Sequence, residues 1–131
     1  DRVSTIHNYP LVGMIAQRFY GKRSALIGDA AVGMHPVTAH GFNLGLASAD
    51  LLAKLVLEAE QRGQDIGAKS LLEKYSTKHM LHAQPIYHGT NMLLKLFTNE
   101  TAPAKLLRGL VLRASNNFPP LKKLITKQLT G

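Results

Sequence analysis

A short apolar run, Ala25-Leu26-Ile27, follows Ser24 in a predicted buried strand and stops at Gly28-Asp29. It gives way to a glycine-punctuated loop and then to a helical pattern opening at Gly41-Phe42-Asn43-Leu44-Gly45. No other stretch constrains the fold as tightly, because it fixes the order buried strand, loop, helix. In α/β sheets ligands sit at the carboxyl ends of such strands. Glycine permits close backbone approach, and the first turn of a helix offers unpaired N–H groups at the positive end of its dipole. Asp29, just past the strand, is an acceptor able to hold sugar-type hydroxyls. Pro36 stiffens the loop, and His35 before it is biased toward an extended conformation.

Around this segment the pattern predicts a short strand at His7 to Leu11 and a second extended stretch from Gly13 to Tyr20, turning at Gly21-Lys22. The helix opening near Phe42 carries Leu44, Leu51, Leu52, Leu55, Val56 and Ala59 at helical spacing and ends at Arg62-Gly63. After a loop from Gly63 to Ala68, Ser70 with Glu73 reads as an imperfect capping box for a helix from Leu71. Pro85 predicts a break or kink before the pattern resumes to Phe97. Asn99-Glu100-Thr101 is a turn, and Pro103 suits the first turn of a helix running to about Ala114. A last helix after Pro120 places Leu121, Leu124, Ile125 and Leu129 opposite Lys122, Lys123 and Lys127. The expected class is mostly α with a few N-terminal strands, too few for a doubly wound sheet by themselves.

The 131 residues suffice for one domain with a modest core, and 45% hydrophobic content fits a globular chain. No uninterrupted apolar stretch approaches the roughly 20 residues that span a bilayer. The absence of cysteine excludes disulfides, thiolate catalysis and cysteine-ligated metal, and fits a reducing, cytoplasmic setting. Asp1-Arg2-Val3 lacks an initiator methionine and the layout of a signal peptide, so a chain cut from a longer protein is expected. The net charge of +8 is concentrated late. From Thr101 onward Lys105, Arg108, Arg113, Lys122, Lys123 and Lys127 meet no acidic residue. That tail is either a solvated helix face or a surface for anionic lipid, nucleic acid or an acidic partner. With Phe118 as its one aromatic, it is poorly suited to nucleic acid, and none is expected as a partner.

The segment from Ser24 to Leu46 resembles the second flavin-binding motif of the aromatic-ring flavoprotein monooxygenases, the p-hydroxybenzoate hydroxylase-like family. His35-Pro36 and Gly41-Phe42-Asn43-Leu44-Gly45-Leu46 are most similar to the branch acting in ubiquinone biosynthesis. The resemblance implies a piece of an α/β FAD/NAD(P)-binding fold. Residues 1–20 would end the substrate-domain strands, 21–62 would supply the last sheet strand, flavin-ring loop and following helix, and 63–131 would form a C-terminal helical region. It also implies FAD as cofactor, held by Gly28 and Asp29 with Asp29 at the ribityl chain, and Pro36 beside the ring. His40 would alter hydrogen bonding or flavin mobility at the ring, and the amides around Gly41, Phe42 and Asn43 would meet the pyrimidine edge. That edge gains negative charge on reduction, which helix N-terminal amides stabilise.

The implied reaction of the intact enzyme is hydroxylation of a prenylated phenol using NAD(P)H and oxygen. No side chain in the chain would be catalytic, and the isolated chain would be inactive and bind FAD weakly, since it has no Gly-x-Gly-x-x-Gly turn. Contact of the basic C-terminal tail with the cytoplasmic face of a membrane or with a biosynthetic complex, and homo-oligomerisation, are further expectations. Ala39-His40 stands where the family pattern has Gly-Gln, Val32 where a histidine is common, and Ser48 where an aspartate follows Gly-Leu.

Two alternatives stand beside this reading: a non-catalytic basic helical module for interaction or membrane docking, and a flavin-dependent isoprenoid-lipid reductase. Gly21-Lys22-Arg23-Ser24 imitates the end of a P-loop, but Ala16 occupies the place of its first glycine. His79 and His82 lie a helical turn apart without a nearby carboxylate, so packing or surface roles are expected and no metal.

Overall fold

The computed structural model describes residues 12–36 and 40–117. The strand expected at His7 to Leu11 and the last helix lie outside them. The described residues are mostly helical with a few short strands, as expected. Four two-residue strands come first: β1 (Met14–Ile15), β2 (Tyr20–Gly21), β3 (Ser24–Ala25) and β4 (Val32–Gly33), with a 3-10 turn at Gly28–Ala30 between the last two. Three helices follow: α1 (His40–Gln61), α2 (Lys69–Thr98) and α3 (Ala102–Asn117).

The stretch from Gly13 to Tyr20 is not one strand. Its first part pairs antiparallel with β4, setting Ile15 opposite Val32, and its last residue opens a hairpin in which Tyr20 faces Ala25. Lys22-Arg23, the P-loop mimic, is the tip of that hairpin, and Arg23 carries φ +52. Its guanidinium grips both oxygens of Asp65 at 2.6 and 2.9 Å, tying the hairpin to the loop between α1 and α2. That pairing, first by its hydrogen bonds, holds the Asp65 carboxyl below the usual carboxylate range.

Three local expectations are corrected. Ser24 to Ile27 is not a buried strand: Leu26 and Ile27 are 38% and 45% exposed. Among the described residues β3 has a partner on one edge alone, so the apolar pair beyond the ladder is uncovered. Ser70 is not a cap, since α2 begins at Lys69 with no side-chain cap at Ala68. Glu73 accepts instead from the Tyr20 hydroxyl at 2.9 Å, across to the hairpin. Of the break or kink expected at Pro85, the break is absent: α2 is continuous over 30 residues. Pro85 and Leu81 both face solvent, so the carbonyl that loses its donor meets water and the ring presses on the outer face of the helix.

The stop at Gly63 is as read from sequence. Gly63 takes φ +63, its N–H reaches the Glu60 carbonyl at 2.9 Å, and Gln64 N–H reaches Ala59 at 2.8 Å. This pair of bonds satisfies the last carbonyls of α1.

The core lies where α1 and α2 cover the small strands. Phe19, Val32, Leu44, Leu55 and Tyr75 form it. Val32, the position where the resembled pattern has histidine, thus serves packing. His79 is also in this core, 2% exposed, its ring 5.3 Å from Phe19 and stacked on Tyr75 at 6.0 Å. Burial, and secondarily the neighbouring His82, lowers its pKa, so it packs as neutral imidazole. The unfolded chain therefore binds the proton more readily than the native one. Stability is fully present above the ordinary histidine pKa of about 6.5 and falls as pH drops below it toward the native value. Denaturant midpoints at pH 7.5 and 5.5 are expected to differ more for the wild-type chain than for His79→Leu.

Candidate cofactor-binding site

The strand end and the N-terminus of α1 enclose a cleft of about 630 Å³. Gly28, Asp29, Met34 and Pro36 line one side, and Gly41, Phe42, Gly45 and Leu46 the other. Five of the seven sequence-predicted site residues are therefore together: Gly28, Asp29, Pro36, Gly41 and Phe42. The other two, His40 and Asn43, occupy the first turn of α1 but not the cleft wall, Asn43 being exposed. The loop residues 37–39 lie outside the described structure.

Glycine is needed here for two separate reasons. Gly28 adopts φ +58, a left-handed conformation that lets the chain turn sharply out of the strand into Asp29. Gly45 allows helix and turn to touch, since a Cβ there would stand 3.3 Å from the Gly28 Cα. A Cβ at Gly41 would lie 3.6 Å from Met34 Cβ and 3.9 Å from Asp29 Oδ1. The Asp29 carboxylate thus borders the first turn of α1, where the helix dipole favours negative charge.

Asp29 is the one titratable group on the cleft wall, and it is exposed with no hydrogen bond to any described residue. Phe42, 78% exposed, Leu46 and Pro36 supply flat or apolar surface beside it. The cleft therefore offers a carboxylate for hydroxyls, helix-end amides for an anionic edge, and an apolar wall for a planar ring. His35 Nδ1, beside Pro36, is buried and makes no hydrogen bond among the described residues. The donor set and the glycine cradle fit the ring-and-ribityl end of FAD. No nucleophile lines the cleft, and no cluster of three metal-ligating side chains occurs among the described residues.

Two buried hydroxyls that bond to this turn are not among the site residues expected from sequence. Ser48, fully buried on α1, accepts the Gly28 N–H at 3.1 Å and donates to the Gly45 carbonyl at 2.6 Å. Tyr75, fully buried on α2, donates to the Leu26 carbonyl at 2.7 Å. The sequence signal was faint but physical: Ser48 falls one turn after Leu44 on the buried stripe, and buried hydroxyls require partners.

Gly28→Ala and Gly63→Ala form a matched pair. Both positions are left-handed with nothing within 4 Å of an added Cβ. Each substitution is expected to lower stability by about 1–2 kcal/mol in urea denaturation, while only Gly28→Ala weakens FAD binding.

The chain is 91% identical over 131 residues to the ubiquinone hydroxylase UbiM of Neisseria meningitidis, covering 100% of this chain and 28% of that protein. It is 37% identical over 124 residues to the ubiquinone hydroxylase UbiL of Rhodospirillum rubrum, covering 95% of this chain and 29% of the relative. To the mitochondrial ubiquinone biosynthesis monooxygenase COQ6 of Danio rerio it is 37% identical over 117 residues, 89% of this chain and 24% of the relative. The chain thus spans little more than a quarter of the length of these relatives. No solved structure matches it. Residues 1–90, well over half of the chain and including every residue of the cleft wall, match the family described as FAD binding domain. By that match the chain belongs to the FAD-binding-domain family.

Proposed function

We propose that this chain is the C-terminal part of an FAD-dependent monooxygenase that hydroxylates the aromatic ring of a ubiquinone precursor. The observation that carries the proposal is one cleft uniting the Asp29 carboxylate, the α1 N-terminal amides and a glycine contact between turn and helix. The names of the relatives supply the substrate class. In this reading residues 1–20 end the substrate-domain strands of an α/β FAD/NAD(P)-binding fold, 21–62 carry the flavin-ring loop, and 63–131 form the C-terminal helical region.

FAD, when bound, supplies the redox chemistry with NAD(P)H and oxygen. The chain's own residues bind and orient. Asp29 accepts hydrogen bonds from sugar-type hydroxyls, and the amides of Gly41, Phe42 and Asn43 stabilise negative charge. Pro36 from one side and Phe42 and Leu46 from the other present apolar surface that excludes water. No side chain of the cleft transfers a proton or forms a covalent bond.

The same proposal extends to location. No helix of the described residues is long and apolar enough to cross a membrane. On α3, Leu106, Leu107 and Leu110 are exposed among Lys105, Arg108 and Arg113, an arrangement suited to lying on anionic lipid. A cytoplasmic protein touching the inner membrane face would meet its prenylated phenol there.

The test uses the full-length protein with FAD, NADH or NADPH, a prenylated phenol and isotopically labelled oxygen. One labelled oxygen atom in the ring is the expected product. A reduced isoprenoid product formed without oxygen uptake would point to the reductase alternative, and absence of flavin would remove the catalytic reading.

A further inference from the structure

Two buried hydroxyls grip the turn on which the cleft depends, and they come from different helices. The strand end carries three successive residues, Leu26, Ile27 and Gly28. The Leu26 carbonyl is held by the Tyr75 hydroxyl at 2.7 Å, and the Gly28 N–H is held by Ser48 Oγ at 3.1 Å. The Ser48 hydroxyl also donates a hydrogen bond to the carbonyl of Gly45 at 2.6 Å, the residue whose missing Cβ admits Gly28. Both side chains are fully buried, so water cannot replace either partner. Burial raises the Tyr75 pKa, so the phenol keeps the proton it donates.

Neither side chain lines the cleft. Both act on backbone atoms immediately before Asp29, the residue whose direction is set by the left-handed Gly28. We infer that Ser48 and Tyr75 are positioning residues for the cofactor: together they lock the Leu26–Gly28 backbone so that Asp29 faces the cleft beside the α1 N-terminus. This rests on the FAD reading given above. It assigns a role in cofactor binding to α2 through Tyr75, although no α2 residue reaches the cleft wall. It also explains how serine can stand at position 48, where the resembled pattern has aspartate. The task there is to accept one N–H, and a neutral hydroxyl performs it without burying a charge.

The experiment uses the full-length protein and FAD. Variants Ser48→Ala, Ser48→Thr, Tyr75→Phe and the Ser48→Ala/Tyr75→Phe double are compared with wild type. Three quantities are read well below the unfolding temperature: the FAD Kd, the visible circular dichroism of bound flavin, and hydrogen exchange at the Gly28 amide. Tyr75→Phe deletes one oxygen from an otherwise unchanged ring, which keeps the test valid if Ser48→Ala folds poorly.

The expected result is an FAD Kd raised about tenfold by Ser48→Ala and by Tyr75→Phe, with faster Gly28 exchange and an altered flavin signal. Ser48→Thr restores the Kd, and the double variant is non-additive because both hydroxyls serve one turn. A purely structural role predicts a lower unfolding temperature in every variant with FAD Kd and flavin signal unchanged, and that result overturns the inference. A wild-type protein that takes up no FAD overturns the underlying reading as well, and is told apart because it fails before any variant is compared.

Discussion

Asp29→Ala is expected to weaken FAD binding by the full-length protein by about 10- to 100-fold while leaving the fold intact. The size follows from the loss of a charged acceptor for hydroxyls, about 1.5–3 kcal/mol, at roughly 1.4 kcal/mol per tenfold. The fold is spared because Asp29 is exposed and bonds to no described residue. Substitutions of that kind usually change stability by less than about 0.5 kcal/mol. Asp29→Asn should recover part of the affinity, because the amide retains one acceptor oxygen without the charge. Fluorescence titration of apoprotein with FAD measures this, with urea denaturation as the control. Unchanged affinity in Asp29→Ala would leave the carboxylate without a role, and the basic-module alternative would gain.

Phe19→Ala is expected to have the largest effect on stability, about 3–5 kcal/mol. That is a large part of the roughly 5–15 kcal/mol that holds a domain folded. Phe19 is completely buried, packs on His79 at 5.3 Å and donates its N–H to Ser76 Oγ at 3.1 Å. Its own carbonyl accepts from Leu26 N–H at 2.8 Å. It therefore links the hairpin, the strand end and α2, and a cavity there loosens the base of the cleft. Phe42→Ala is the counterpart: an equally large ring is removed from an exposed position, and the denaturation midpoint should hardly move. The urea midpoints of the two variants check both statements.

How much of this was legible in the sequence varied with the kind of interaction responsible. Glycines and helix periodicity act locally, so the stop at Gly63 and the buried stripe through Leu44, Leu55 and Ala59 could be read from spacing. Pro85 misled because its cost depends on whether the freed carbonyl faces protein or water, and that is a tertiary property. Ser70 misled in the same way, since Glu73 was claimed by Tyr20, 53 positions earlier. The uncovered pair Leu26 and Ile27 shows that an apolar run declares what it would bury, not what covers it. Ser48 and Tyr75 were hardest to read, because their task is set by backbone atoms brought from Leu26 and Gly28 by the fold. His40 and Asn43, which the resemblance implies, stand on the first turn of α1, off the cleft wall.

The central claim, that the strand end and the start of α1 seat the flavin, is tested most directly by hydrogen exchange of the full-length protein with and without FAD. The account predicts FAD-dependent protection at residues 28–30 and 40–46, with α3 unaffected. FAD bound with no added protection in either segment would contradict it.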